Sequence, residues 1–157
     1  MLALLVAGEL GVGHLGTLWV ERSHRQVMAV SLLAVQAQRI RAGALVGEAS
    51  PELSREVRFL EEAHLGLLAS GPVPPTLEDT EPRYRELLQA LNELEHLDRN
   101  DSRRAVAAAA ERLTRSATLA AGQLDADARD LNDRIQMARL AMFCLLLLAL
   151  LLQADSL

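Results

Sequence analysis

Apolar residues crowd the two ends of the chain, and between them apolar and polar positions alternate with a helical rhythm. From Met137 to Leu152 the only charged residue is Arg139, one turn into the run. The stretch Leu145-Leu146-Leu147-Leu148 with Leu150-Leu151-Leu152 is apolar around the whole circumference of a helix, more than a surface helix of so small a domain can hide. Extended to Ala154, the run has about the 17–20 residues needed to cross roughly 30 Å of hydrocarbon. It predicts a membrane span over 137–154, with the long Arg139 side chain reaching back toward the interface.

The opening "MLALLVAGELGVGHLGTLWV" is a second apolar stretch, interrupted by Glu9 and His14. An acid near mid-membrane costs a few kcal/mol on insertion scales, and no basic residue precedes the stretch as in a secretory signal. Residues 1–20 are expected to be a first transmembrane helix that begins inside the natural span, with part of it lost upstream.

The middle, 21–136, is charged and broken in few places. In "GEASPELSRE", Ser50 is a helix cap, Pro51 fits the first turn and Glu52 suits the positive end of the helix dipole. "SGPVPPTLEDTEP" gathers Gly71, Pro72, Pro74 and Pro75 into one loop, with Thr80 as the next cap. In "LDRNDS", Asn100 and Asp101 suit a turn, and Asp101 or Ser102 a cap. These breaks predict four helices over about 1–47, 51–70, 81–97 and 102–153.

Each helix carries a stripe with heptad-like spacing. The second offers Leu53, Val57, Leu60, His64 and Leu67; the third offers Tyr84, Leu87 or Leu88, Leu91, Leu94 and Leu97. The fourth offers Val106, Ala110, Leu113, Ala117, Ala120, Leu124, Ala128, Leu131, Ile135 and Ala138, with one extra four-residue step that acts as a stutter. Four such stripes close into an all-α, antiparallel up-down four-helix bundle whose first and fourth helices extend into the two spans. At 1.5 Å per residue, a fourth helix of about 53 residues is about 80 Å long, so a rigid rod joins bundle to membrane.

Composition agrees with helices. Half the residues are apolar but only 3% are aromatic, whereas strands draw on aromatic and β-branched residues. The net charge of −5 argues against nucleic acid as a partner. All sixteen basic residues are arginine. The single cysteine, Cys144, lies in the closing apolar run and no Cys/His set has zinc spacing, so neither metal nor cofactor is expected. His24, His64 and His96 fall on three helices at different heights. No nucleophile with a base, phosphate-cradling loop or paired catalytic carboxylate is present, which argues against an enzyme.

The stretch "VMAVSLLAVQAQRIRAGAL", residues 27–45, resembles the first sensor helix of the N-terminal domain of type IV pili methyl-accepting chemotaxis transducers, a family related to nitrate/nitrite sensor kinases. Ala37-Gln38-Arg39-Ile40 with Ala44-Leu45 falls in register with the latter half of the family segment. "FLEEAHLGLLASG", "PVPPT", "YRELLQALNEL" and the long stretch ending "RIQMARL" follow in family order. The resemblance implies an extracytoplasmic four-helix sensor over 21–136, homodimeric, between spans in the bacterial inner membrane. A cytoplasmic output module (kinase, cyclase or methyl-accepting) is then missing from this chain, and 155–157 is the start of that part. The arginine that nitrate-sensing relatives use for the anion aligns with Ala34, and the neighbouring methionine with Val35, so nitrate is a poor expectation here. Gln36, Gln38 and Arg39 are the polar set expected nearest a small ligand.

Two functional classes are open at this point. One is a membrane-anchored sensor relaying ligand or partner binding through the fourth helix. The other is a membrane-anchored helical scaffold with no ligand.

Overall fold

The computed structural model describes residues 2–47, 50–72, 74–97 and 100–154. The side chains of Glu9, His14 and Ser50, and residues 155–157, lie outside that description. Four α-helices carry the fold, and no strand occurs among the described residues. They are α1 (Leu2–Val46), α2 (Ser50–Ala69), α3 (Thr80–Leu97) and α4 (Asn100–Ala154).

The helix ends follow from local chemistry. Gly47 takes the left-handed φ of 79° that a side chain disfavours, and its N–H donates to the Gly43 carbonyl at 3.0 Å, closing α1. At the end of α2, the Ser70 hydroxyl and N–H both turn back onto the Leu67 carbonyl. The proline loop is not featureless. Pro75–Leu77 forms a 3₁₀ turn, tied by the Leu77 N–H to the Pro74 carbonyl at 2.9 Å, and it buries Leu77 almost completely. Asn100-Asp101-Ser102, expected as a turn, is instead the first turn of α4, where Asp101 meets the positive end of the dipole.

The chain divides into two compact units, Met1–His24 with Ala126–Leu157, and Arg25–Asp125. In the second, residues from all four helices share one core: Leu33 and Ile40 of α1, Leu60 of α2, Leu87 of α3 and Leu113 of α4 are all fully buried. From Val106 to Leu124 the expected stripe of α4 lies in this core at every position. Polar contacts join each helix to the next. Arg39 pairs with Glu56 across α1 and α2, and His64 with Glu81 across α2 and α3. Thr80 meets Ser116, and Arg112 meets Glu86, across α3 and α4. Arg41 pairs with Glu111, and the Thr114 hydroxyl reaches the Ala34 carbonyl, between α4 and α1. Within the α3–α4 and α4–α1 pairs, residue numbers rise on one helix as they fall on the other, so these neighbours run antiparallel.

In the other unit, Gly16 faces Ile135 so closely that an added Cβ would lie 3.0 Å from its Cδ1. The α4 stripe continues through half-buried Ala128, Leu131, Ile135, Arg139, Met142, Leu146 and Ala149. It passes through Arg139 rather than the expected Ala138, which is exposed. Among the described residues α4 is the one helix long and apolar enough to cross a membrane, with an 18-residue window of mean hydropathy 2.3, none of it buried.

The core predicts a sharp contrast within α4. Leu113→Ala removes a fully buried side chain and is expected to lower stability by about 2–5 kcal/mol. Leu119→Ala, at a position 64% exposed, is expected to change it by less than about 0.5 kcal/mol. Thermal melts followed by circular dichroism would read both.

Candidate functional site

The three side chains marked by the sequence do not converge. An α-helix turns about 100° per residue, so Gln36 and Arg39 share a face and Gln38 points nearly the opposite way. Gln36 is half-buried, and its Oε1 is enclosed with no hydrogen-bond donor among the described residues. Arg39 is exposed and its guanidinium lies 3.8 Å from Glu56 Oε2, an ion pair too long to be a hydrogen bond. That Glu56 oxygen is likewise enclosed with no hydrogen bond among the described residues. Gln38 is exposed. Gln36, on the Arg39 face of α1, and Glu56 of α2 each carry one enclosed acceptor, and the Glu56 oxygen lies beside the Arg39 guanidinium. Such a set suits a hydrogen-bond donor better than a small oxyanion.

Ala34 is buried, and its carbonyl lies 3.5 Å from the Thr114 hydroxyl, which donates at 2.8 Å to the Ala110 carbonyl of its own helix. The position is committed to packing against α4.

A second polar cluster was not expected from the sequence. His64, counted there as a stripe residue of α2, stacks on Tyr84 of α3 with ring centroids 3.9 Å apart and planes 14° from parallel. Its Nε2 donates to Glu81 Oε2 at 2.7 Å, and the Arg85 Nε donates to Glu81 Oε1 at 2.9 Å. Burial works to raise the Glu81 pKa, but the hydrogen bonds from His64 and Arg85, with their charges, outweigh it and hold the carboxyl below its ordinary value. Burial pushes the Tyr84 phenol up, and the charges of Glu61 and Glu81 add to it. Farther along α3, the Arg112 hydrogen bond holds Glu86 low against a smaller opposing effect of burial, with Arg83 assisting. The sequence signal for the His64 cluster was a histidine on an apolar stripe, which needs a partner, together with Glu81 and Tyr84 three residues apart on one helix face.

His24 lies in the other unit from His64 and His96. Among the described residues no three His, Cys, Asp or Glu side chains are grouped to hold a metal ion. Comparison of the chain with protein-family models, curated proteins and solved structures finds no match.

The Glu81 carboxylate has a testable pH signature. Its folded pKa is lowered, so its contribution to stability is fully present above the ordinary value of 4.5 and is lost as pH falls through the folded value. Glu81→Gln is expected to lower Tm at pH 7, and the gap to the natural chain is expected to close as the pH drops well below 4.5. A gap of equal size at pH 7 and pH 3 would contradict it.

Proposed function

We propose that the chain is the input module of a membrane-bound bacterial signal-transduction receptor. In this reading 25–125 is an antiparallel four-helix sensor bundle facing the periplasm or exterior, carried as a homodimer. The stretches 1–20 and 137–154 cross the inner membrane, and a cytoplasmic kinase, cyclase or methyl-accepting module takes up the signal. The observation that supports it is the dual part played by α4. One uninterrupted helix supplies Val106, Ala110, Leu113, Ala117, Ala120 and Leu124 to the core and then an apolar, unburied stretch of membrane-crossing length. A small piston or rotation of such a helix is delivered along its length, because its backbone hydrogen bonds leave little room for local yielding. The α1–α2 seam at Gln36, Arg39 and Glu56 is where a donor-bearing small ligand would act on the bundle, with Gln38 on the outer face.

The scaffold reading uses the same helices without a moving part, and helical phase separates the two. The chain fused at Ala154 to the linker and kinase of a two-component receptor is tested with one to seven alanines inserted after Asp127. Each insertion rotates the distal helix by about 100°. A relay predicts kinase output that rises and falls with a period of about 3.6 inserted residues. Output independent of insertion length would favour the scaffold.

Topology has its own test. Glu78, exposed beside the 3₁₀ turn, is replaced by cysteine in a Cys144→Ala background. Glu78→Cys is expected to react with a membrane-impermeant maleimide in intact cells. Reaction only after lysis would place the bundle in the cytoplasm.

A further inference from the structure

A partly open groove of about 360 Å³ lies between the α1 and α4 segments of the unit formed by Met1–His24 and Ala126–Leu157. Its volume falls in the range of small-ligand sites, about 300–1,000 Å³. Gly16, Val20 and Ile135 give it an apolar wall. Its polar lining is almost entirely of one kind: His24 of α1 and Asn132, Gln136 and Arg139 of α4 each bring an N–H that can donate. Among the lining residues Glu21 is the one carboxylate, and it already has an interaction partner within the chain. A ligand therefore has to supply acceptors and not a cation. We propose that the groove binds the phosphodiester of a membrane glycerophospholipid, with Arg139 as its main partner. The proposal rests on the membrane reading above and goes beyond it in naming a bound lipid.

Arg139 decides the chemistry. It stands on the half-buried stripe of α4, in step with Ile135 and Met142, not on the outward face where a merely snorkelling arginine would sit. Its Nε is enclosed and makes no hydrogen bond among the described residues. An enclosed guanidinium nitrogen without an acceptor is costly. Nε and the terminal nitrogen on the same side form one edge of the planar fork, with two N–H groups that point the same way. The two non-bridging oxygens of a phosphodiester match that edge with two parallel hydrogen bonds, whereas a lone hydroxyl or carbonyl oxygen satisfies only one of them.

Position along α4 selects a lipid as the source of the phosphate. Arg139 is one turn inside the closing apolar run, whereas Asn132 and Gln136 precede that run. A helical side chain leans toward the N-terminus of its own helix, so Arg139 leans out of the apolar run toward these two amides. On the membrane reading this is the boundary between hydrocarbon and water, the level at which a phospholipid carries its phosphate next to its acyl chains. Free phosphate would use the donors but leave the apolar wall of Gly16, Val20 and Ile135 against water. The rest of the head group meets no free carboxylate, so the site reads the phosphodiester and not an amine.

The test uses the full chain in detergent with equimolar phosphatidylglycerol and monoglucosyl diacylglycerol, a lipid whose head group has hydroxyls but no phosphate, read by native mass spectrometry. The natural chain is expected to retain phosphatidylglycerol about tenfold over the glycolipid, the size of one charge-assisted hydrogen bond. Arg139→Gln is expected to erase that preference, and Arg139→Lys, which keeps the charge and loses the fork, to lower it several-fold. Arg134→Gln, which removes an exposed guanidinium paired with Asp130 outside the groove, should leave the preference unchanged. Val20→Phe, which fills the groove and changes no charge, should lower phosphatidylglycerol retention, with helicity by circular dichroism unchanged. Equal retention of the two lipids by the natural chain, an unchanged preference in Arg139→Gln or Arg139→Lys, or an equal loss in Arg134→Gln would overturn the proposal. So would a preference for phosphatidylethanolamine over phosphatidylglycerol, since that calls for a free carboxylate. Excess inorganic phosphate is expected to leave lipid retention intact; displacement by it would give the site to free phosphate and overturn the lipid assignment. Flotation of the natural chain with phosphatidylglycerol vesicles separates the levels. A chain that fails to float sinks the membrane reading itself, and one that floats without retaining phosphatidylglycerol in detergent sinks the phosphodiester site alone.

Discussion

How closely α4 can lie against α1 governs the rest of this molecule. The Thr114 hydroxyl donates at 2.8 Å to the Ala110 carbonyl of its own helix and lies 3.5 Å from the Ala34 carbonyl of α1, so the two backbones approach closely here. Small residues are frequent on the buried faces of both helices: Ala37 and Ala44 of α1, and Ala109, Ala110, Ala117 and Ala120 of α4, are all essentially buried. Alanine has no rotamers to lose and is the best helix former, so the same residues that permit close contact keep a 55-residue helix regular. The bulk needed to fill a core then comes from elsewhere, from Leu33, Ile40, Leu60, Leu87 and Leu113.

Ala34 sits within the tight contact, where a guanidinium would force the helices apart. The polar groups that remain in this part of the core stand on the other side of α1, toward α2, where Gln36 and Glu56 each enclose an oxygen. On the proposed reading, ligand recognition falls at Gln36, Arg39 and Glu56, where enclosed acceptors favour a hydrogen-bond donor. In the Arg39–Glu56 pair the guanidinium is exposed while the carboxylate oxygen is enclosed, 3.8 Å away.

Periodicity carried much of the fold in legible form. Each stripe residue named in α4 from Val106 to Leu124 is in the core, and helix boundaries fell within one or two residues of the observed ones. What periodicity lacks is the relative height of neighbouring helices. His64, Glu81 and Tyr84 could be placed on their own helices, but their meeting depends on where the proline loop sets α3 against α2, and buried Leu77 in the 3₁₀ turn was hidden by the prolines around it. The divergence of Gln38 from Gln36 was legible, because it follows from the helical step alone. The exchange of Ala138 for Arg139 was harder to see. Hydrophobicity favours alanine on an inner face, and a three-four alternation admits either residue once a stutter has shifted the phase.

The chain has one tryptophan and one tyrosine, and they fall in different units. Trp19 is half-exposed at the apolar end, while Tyr84 is buried face to face with an imidazole in the core. Each unit therefore carries its own natural chromophore, with a single emitter of each kind. Indole emission reports polarity around Trp19, and phenol absorbance reports the stack at Tyr84. Loosening of one unit can be followed optically apart from the other, without a label attached anywhere on the chain.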